Sequence, residues 1–344
     1  MLSRFISELR AAFGHAARQS GTIEYDLIVS GRRVQLHFAG PSLVPYTLPA
    51  LAHLTADLGP RPDLTICLWD TVSTESPPPS PPWSLGEYRL AGRLFDTDDG
   101  TIAVNHNATA GTLSALDRST RTALFWTPDA TALSIYVQAA PLQTILHWAM
   151  SAYGWQVVHA AAIGLESGGV LIIGNAGAGK STTALAALHS DLRYLSDDKC
   201  LVRLTPKPLA FGLYNSGKLN ADSLERLAHL RALVTDRDRY SAKGKSLLFM
   251  HPAYTDRLTR SFPLRAVLIP QVGSQSGPEV RPASPSAALR ALGPSTLMWL
   301  PGAEKASLAF AAALVQSLPC YNLYLSPRLT DNHSAIAAVI RRHA

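Results

Sequence analysis

Apolar and polar residues alternate on both sides of Ser30-Gly31. In TIEYDLIVSGRRVQLHFAG, Ile23, Tyr25, Leu27 and Val29 fall on one face. A period of two predicts a β-hairpin turned at Ser30-Gly31. The preceding MLSRFISELRAAFGHAARQSG is amphipathic and basic, but Glu8 interrupts it and it has no continuous apolar region. It reads as a solvent-facing first helix rather than a targeting segment. SLVPYTLPALAHLTADLG is broken by Pro45 and Pro49, so only its second half is expected to be helical. DLTICLWD has the pattern of a short buried strand. Residues 73–84 carry five prolines, which remove backbone donors and favour an extended surface loop. EYRLAGRLFDTDDGTIAVNHN predicts a second hairpin turned at Asp99-Gly100. Its acidic residues lack the later glutamate that a calcium loop requires. STRTALFWTPDATALSIYVQA adds strand-like segments around Pro128-Asp129.

The pattern changes from Pro141. PLQTILHWAMSAYG has helical spacing, and WQVVHAAAIGLESGGVLIIG reads as a strand pair turned at Ser167-Gly168-Gly169. These changes divide the chain into a β-rich α+β domain over residues 1–138 and an α/β domain over residues 139–344. The first domain carries no catalytic constellation, which leaves it substrate recognition or assembly. At the far end, PLRAVLIPQV and CYNLYLSPRL read as the last strands, with ASLAFAAALVQSL and NHSAIAAVIRRH as covering helices.

Composition narrows the class. The chain of 344 residues is 47% hydrophobic and 16% charged, which suits a globular core rather than disorder. Its formal charge of +6 leans toward anionic partners, but no Lys/Arg run calls for nucleic acid. No stretch reaches the ~18 apolar residues that a membrane span needs. Three cysteines, Cys67, Cys200 and Cys320, are widely spaced in apolar surroundings, without zinc or disulfide spacing. A reducing cytoplasm fits that usage.

The densest chemical signal is VLIIGNAGAGKSTTALAAL. Gly174-Asn175-Ala176-Gly177-Ala178-Gly179-Lys180-Ser181 fits G-x-x-x-x-G-K-[ST] between an apolar strand, Val170–Ile173, and a helix-forming run from Thr182. Glycines at 174, 177 and 179 let successive amides turn inward around phosphate oxygens. Lys180 would reach the β- and γ-phosphates, and the Ser181 hydroxyl would ligand Mg²⁺. Residues 174–182 are thus a candidate ATP site. No N-K-x-D stretch marks a GTPase and no L-S-G-G-Q marks an ABC-type ATPase. Downstream, a strand over Arg193–Ser196 runs into Asp197-Asp198, and another begins at Cys200. One aspartate could hold Mg²⁺ while the other accepts a hydroxyl proton. Asp198 is placed with Ser181 as a metal ligand. His159 sits in an apolar strand that two short strands would bring beside the phosphates. Lys218 precedes a helix capped near Asn220 or Asp222. Arg237, Arg239, Lys243 and Lys245 surround Gly244 in a basic loop that could close over a transferring phosphoryl group.

His159 in VHAAAIG, the Gly174–Ser181 loop and Asp197-Asp198 together resemble the HPr kinase/phosphorylase family over roughly residues 141–340. That resemblance implies an α/β kinase domain using ATP and Mg²⁺. It implies that one aspartate is the base toward a seryl hydroxyl, that the other helps hold Mg²⁺, and that His159 assists near the phosphates with Lys180. The E-[IV]-R-G-x-G stretch of that family is not found here, so an acceptor other than HPr is expected. The chain looks closer to HPr-kinase-like proteins that phosphorylate a seryl hydroxyl on ribosomal, lasso-type precursor peptides. The expected partners are a nucleotide and a peptide with an acceptor serine; a homo-oligomer stays open. A small-molecule kinase and a nucleotide-binding regulatory module that transfers nothing remain as alternatives.

Overall fold

The computed structural model describes residues 1–57, 59, 61–84, 87–88, 94–235, 244–273, 277–297 and 304–344. The chain divides into two compact units, Met1–Tyr153 and Gly154–Ala344. The division lies beyond position 138 because the helix Gln143–Ser151 packs on a strand of the first sheet.

The first unit is built on seven strands: β1 Thr22–Val29, β2 Arg32–Ala39, β3 Leu64–Asp70, β4 Leu94–Asp98, β5 Ile102–Asn107, β6 Thr112–Asp117 and β7 Thr122–Thr127. Their order is β1-β2-β3-β7-β6-β5-β4, with β2, β3 and β7 parallel and the other pairs antiparallel. The first hairpin turns where expected, with Ser30 and Gly31 both at positive φ, 53° and 81°, as a tight right-twisting hairpin requires. The Asp99-Gly100 turn also forms, its Asp99 carboxylate accepting the Thr101 and Ile102 amides at 2.9 and 2.7 Å.

Three expectations fail in this unit. The first helix, Leu2–Ser20, is not simply solvent-facing: Phe5, Ile6, Leu9 and Ala16 are buried in one cluster with Cys67, Trp69 and Leu124 of the sheet. A helix occupies Val44–Leu51, the proline-bearing half of its segment rather than the second half. Pro45 sits in the first turn, where no amide donor is needed, so a helix of this length loses only the Pro49 hydrogen bond. Beyond Pro128 the chain is helical and not strand-like, because Asp129 caps a 3₁₀ turn over Ala130–Ala132 and Ser134 caps the helix Ile135–Ala139.

The second unit contains β8 Gln156–Val158, β9 Ala161–Leu165, β10 Gly168–Ile172, β11 Arg193–Ser196, β12 Cys200–Arg203, β13 Leu209–Phe211, β14 Ser216–Asn220, β15 Lys245–Phe249, β16 Ser261–Val272, β17 Glu279–Pro282 and β18 Cys320–Leu325. Its main sheet runs β11-β9-β10-β16-β13-β12-β8, with β18 beside β16 and β17 beside β18. β10, β16 and β18 are parallel. Side chains of β10 alternate between two cores. Val170 and Ile172 pack with Ala184, Leu188, Ile336 and Ile340 on one face, and Leu171 and Ile173 with Leu292, Leu314 and Val315 on the other. Helices therefore cover both faces, and the fold is mixed α/β, as the run of alternating strand and helix patterns implies. Phe262 lies where a side chain on Gly169 would have to go, so only glycine fits at the start of β10. Among the described residues no helix is long and apolar enough to cross a membrane.

Candidate active site

The long strand β16 pairs with β13 through Ser261–Pro263 and with β10 and β18 beyond it. It joins two halves of one sheet, and the chain crosses between those halves twice more. One crossing is His159-Ala160, between β8 and β9; the other is Asp197-Asp198-Lys199, between β11 and β12. His159 is thus at a break in the strand and not inside it: the expected strand pair before the glycine loop is three strands. The Ala160 amide donates back to the Val158 carbonyl at 3.1 Å, which is the tight turn that makes the corner.

The two crossings are forced together by pairing. β8 aligns Val158 with Cys200, and β9 aligns Ala162 with Ser196, so one antiparallel register continues across the corner. His159 accordingly meets Asp198, with Nε2 2.9 Å from Oδ1. At a corner the residues between ladders are released from the up-down alternation of a strand, so both adjacent carboxylates can serve one site.

Lys218 grips both of them. Its main-chain N–H donates to Asp197 Oδ2 at 2.9 Å, and its ammonium donates to Asp198 Oδ2 at 3.0 Å. The side chain is only 6% exposed. β14, which carries it, pairs with β15 and is tied to β11 by the Tyr194 hydroxyl, which donates to the Ser216 carbonyl at 2.6 Å. Burial pushes the Asp198 carboxyl up, but Lys218, the His159 hydrogen bond and Lys199 outweigh it and hold Asp198 well below the carboxylate range. Asp197 goes the other way. Burial raises it, aided by Asp198, against Lys218 and the Ser181 hydroxyl that faces it. Its Oδ1 is buried without a hydrogen-bond partner. Lys199, next in the chain, is lowered to about 8 by burial, with Lys218 adding to that and Asp198 opposing it.

The glycine loop ends the parallel strand β10. Gly174, Gly177 and Gly179 have φ of 146°, 85° and 94°, where side chains are rarely tolerated. Asn175, Ala176 and Gly177 form an exposed crest. The Lys180 ammonium turns back into the loop, donating to the Gly174 and Asn175 carbonyls at 2.5 and 3.1 Å. Lys180 is 8% exposed. Burial lowers its pKa, Asp198 and Asp197 oppose that shift, and Lys245 adds to it. The helix Lys180–Ala186 follows, and the Thr182 hydroxyl lies 2.9 Å from the Ser223 hydroxyl.

The structure therefore brings together Lys180, Ser181, Asp197, Asp198 and His159, with Lys218 and Lys199 added. Lys218 was legible only as a lysine before a helix, and Asn220 does cap that helix. Lys199 carried no signal beyond following two aspartates. Of the four basic residues expected to close over the site, Arg237, Arg239 and Lys243 lie outside the described residues. Lys245 begins β15 opposite Asn220. Asp198, expected as a metal ligand, has an oxygen engaged by each of His159 and Lys218, whereas Asp197, which Ser181 also faces, has its Oδ1 buried without a partner. Among the described residues no group of three or more His, Cys, Asp or Glu side chains is placed to enclose a metal ion. A carboxylate and a hydroxyl are hard oxygen donors of the kind Mg²⁺ takes when phosphates and water complete its shell.

No family model and no curated protein matches the chain. Among solved structures it is weakly similar to the Hpr(Ser) kinase/phosphatase from Coxiella burnetii. The identity is 12% over 55% of this chain and 95% of that one, with a TM-score of 0.31.

Proposed function

We propose that the second unit is an ATP- and Mg²⁺-dependent kinase that transfers a phosphoryl group to a hydroxyl. The observation that carries the proposal is the Asp197–Asp198 corner: one buried carboxylate near Ser181 with one oxygen lacking a hydrogen-bond partner, and one ionised carboxylate clamped by Lys218 and His159. The loop amides and Lys180 hold the β- and γ-phosphates. Ser181 and Asp197 would hold the ion, with Asp197 proposed for the carboxylate ligand in place of Asp198. When bound, Mg²⁺ supplies neutralisation of the charge that develops on the phosphate oxygens. Asp198 accepts a hydrogen bond from the acceptor hydroxyl and orients its oxygen in line with the γ-phosphorus. The new O–P bond forms as the bond to the β-phosphate oxygen breaks, and the hydroxyl proton passes to Asp198 late in a loose transition state. His159 and Lys218 keep that carboxylate charged and fixed until then.

For the acceptor we propose a serine on a peptide, with lasso-type precursors as first candidates and the first unit as the part that binds the peptide. That assignment is supported by the sequence resemblance alone. The test is intact-mass analysis after incubation with ATP and Mg²⁺, using serine-containing precursor peptides and free hydroxy metabolites. A phosphate-sized gain on a peptide, lost in Lys180→Ala and in Asp197→Ala/Asp198→Ala, is the expected result. A gain confined to a metabolite makes the protein a small-molecule kinase. ATP binding without any gain across the panel makes the transfer reading fail in favour of a regulatory module.

A further inference from the structure

The strands β10, β16 and β18 are parallel, and their carboxyl ends lie along one edge. The glycine loop leaves the first of these. The other two end in Val272 and Leu325, which stand opposite each other in register. Val272 is 73% exposed, although Ala266, Val267 and Leu268 of the same strand are fully buried. Both side chains border the loop: a Cβ on Gly179 would lie 2.7 Å from Leu325 Cδ1 and 3.9 Å from Val272 Cγ2. The Leu325 end is held in place. Asn332, 1% exposed, accepts the Ser326 amide at 2.8 Å and donates to the Ser326 carbonyl at 3.0 Å.

Ligands of open α/β sheets bind beyond the carboxyl ends of parallel strands. Here that edge presents the glycine loop next to an apolar ledge, the pair Val272, exposed, and Leu325, half-buried against the core. A ligand matching both has a polyphosphate at one end and a flat apolar surface at the other. We infer that the base of a bound nucleoside triphosphate packs on Val272 and Leu325 while its phosphates occupy the Gly174–Ser181 loop. This assignment rests on reading that loop as the phosphate site. The ledge gives the nucleotide apolar contact that inorganic triphosphate lacks.

Equilibrium binding of ATP and of inorganic triphosphate, each with Mg²⁺, to the full chain and to Val272→Ser and Val272→Met separates the two readings. Val272 is on the surface, so neither substitution disturbs the fold. The serine variant is expected to bind ATP about five-fold more weakly, from the loss of apolar contact area. Its triphosphate affinity is unchanged, and the methionine variant keeps wild-type affinity for both. Equal weakening of ATP and triphosphate, or no weakening of ATP, overturns the ledge and leaves the phosphate loop standing. Failure of the wild-type chain to bind either compound removes the phosphate site and the ledge together.

Discussion

Replacing Lys218 by methionine keeps most of the side-chain volume and removes one charge. The main-chain N–H that holds Asp197 survives the change, so the ion pair that is lost is the one to Asp198, and the smaller charge effects of Lys218 on Asp197 and Lys199 go with it. Breaking a fully buried ion pair by removing one partner costs about 3–5 kcal/mol. Asp198 is not fully sealed: its side chain is 26% exposed and keeps His159 at 2.9 Å. We therefore expect about half of that cost, ~2 kcal/mol of folding stability at pH 7. The sign follows from the pKa. Folding depresses the Asp198 carboxyl, so the stabilisation is present above the ordinary aspartate range and is lost as pH falls through the depressed value. The difference between wild type and variant should accordingly narrow when urea unfolding is repeated at pH 3. Carbonyl-detected NMR should show the Asp198 titration moving upward in the variant. If the same energy orients the carboxylate during transfer, turnover falls about 30-fold. A stability loss below ~0.5 kcal/mol with an unmoved Asp198 titration would refute the claim that Lys218 sets the state of this carboxylate.

Two further outcomes follow from the same corner. Folding raises the Asp197 carboxyl, so an ionised Asp197 opposes folding above the ordinary aspartate range. Asp197→Asn should raise urea stability of the ligand-free protein at pH 7, lose that gain at pH 3, and weaken Mg²⁺-dependent ATP binding. Lys199 titrates near 8 in the folded chain against 10.5 ordinarily, so between those values the unfolded chain binds the extra proton and wild-type stability rises with pH. Lys199→Met should flatten that rise by up to ~1.4 kcal/mol per pH unit, read from urea midpoints at pH 7.5, 8.5 and 9.5.

Much of this was legible along the chain, and what was not has physical causes. The hairpin at Ser30-Gly31 and the glycine loop were readable because turn chemistry and binary pattern agree there. β11, Asp197-Asp198 and β12 fall where the sequence places them. β6 went unread because Thr112–Asp117 is buried throughout and so lacks the alternation that marks a half-exposed strand. The helix at Val44–Leu51 was misplaced because proline was read as a breaker without regard to its position in the first turn. His159 was assigned to a strand because VVHAAAIG is apolar throughout, and nothing local reveals that β8 and β9 lie in different halves of the sheet. Lys218 shows the same limit: its importance lies in pairing with residues about twenty positions earlier. Three-dimensional pairing, not local composition, made these residues one site.

If the proposed transfer holds, the corner formed by His159-Ala160 and Asp197-Asp198-Lys199 makes activity a census of finished molecules. Neither half of the sheet alone contains the His159–Asp198 pair. That pair exists only when β8 has found β12 and β9 has found β11 in the same chain. Specific activity per mole of folded backbone would then measure register fidelity, because a slipped β8 separates His159 from Asp198 while keeping a strand in the sheet.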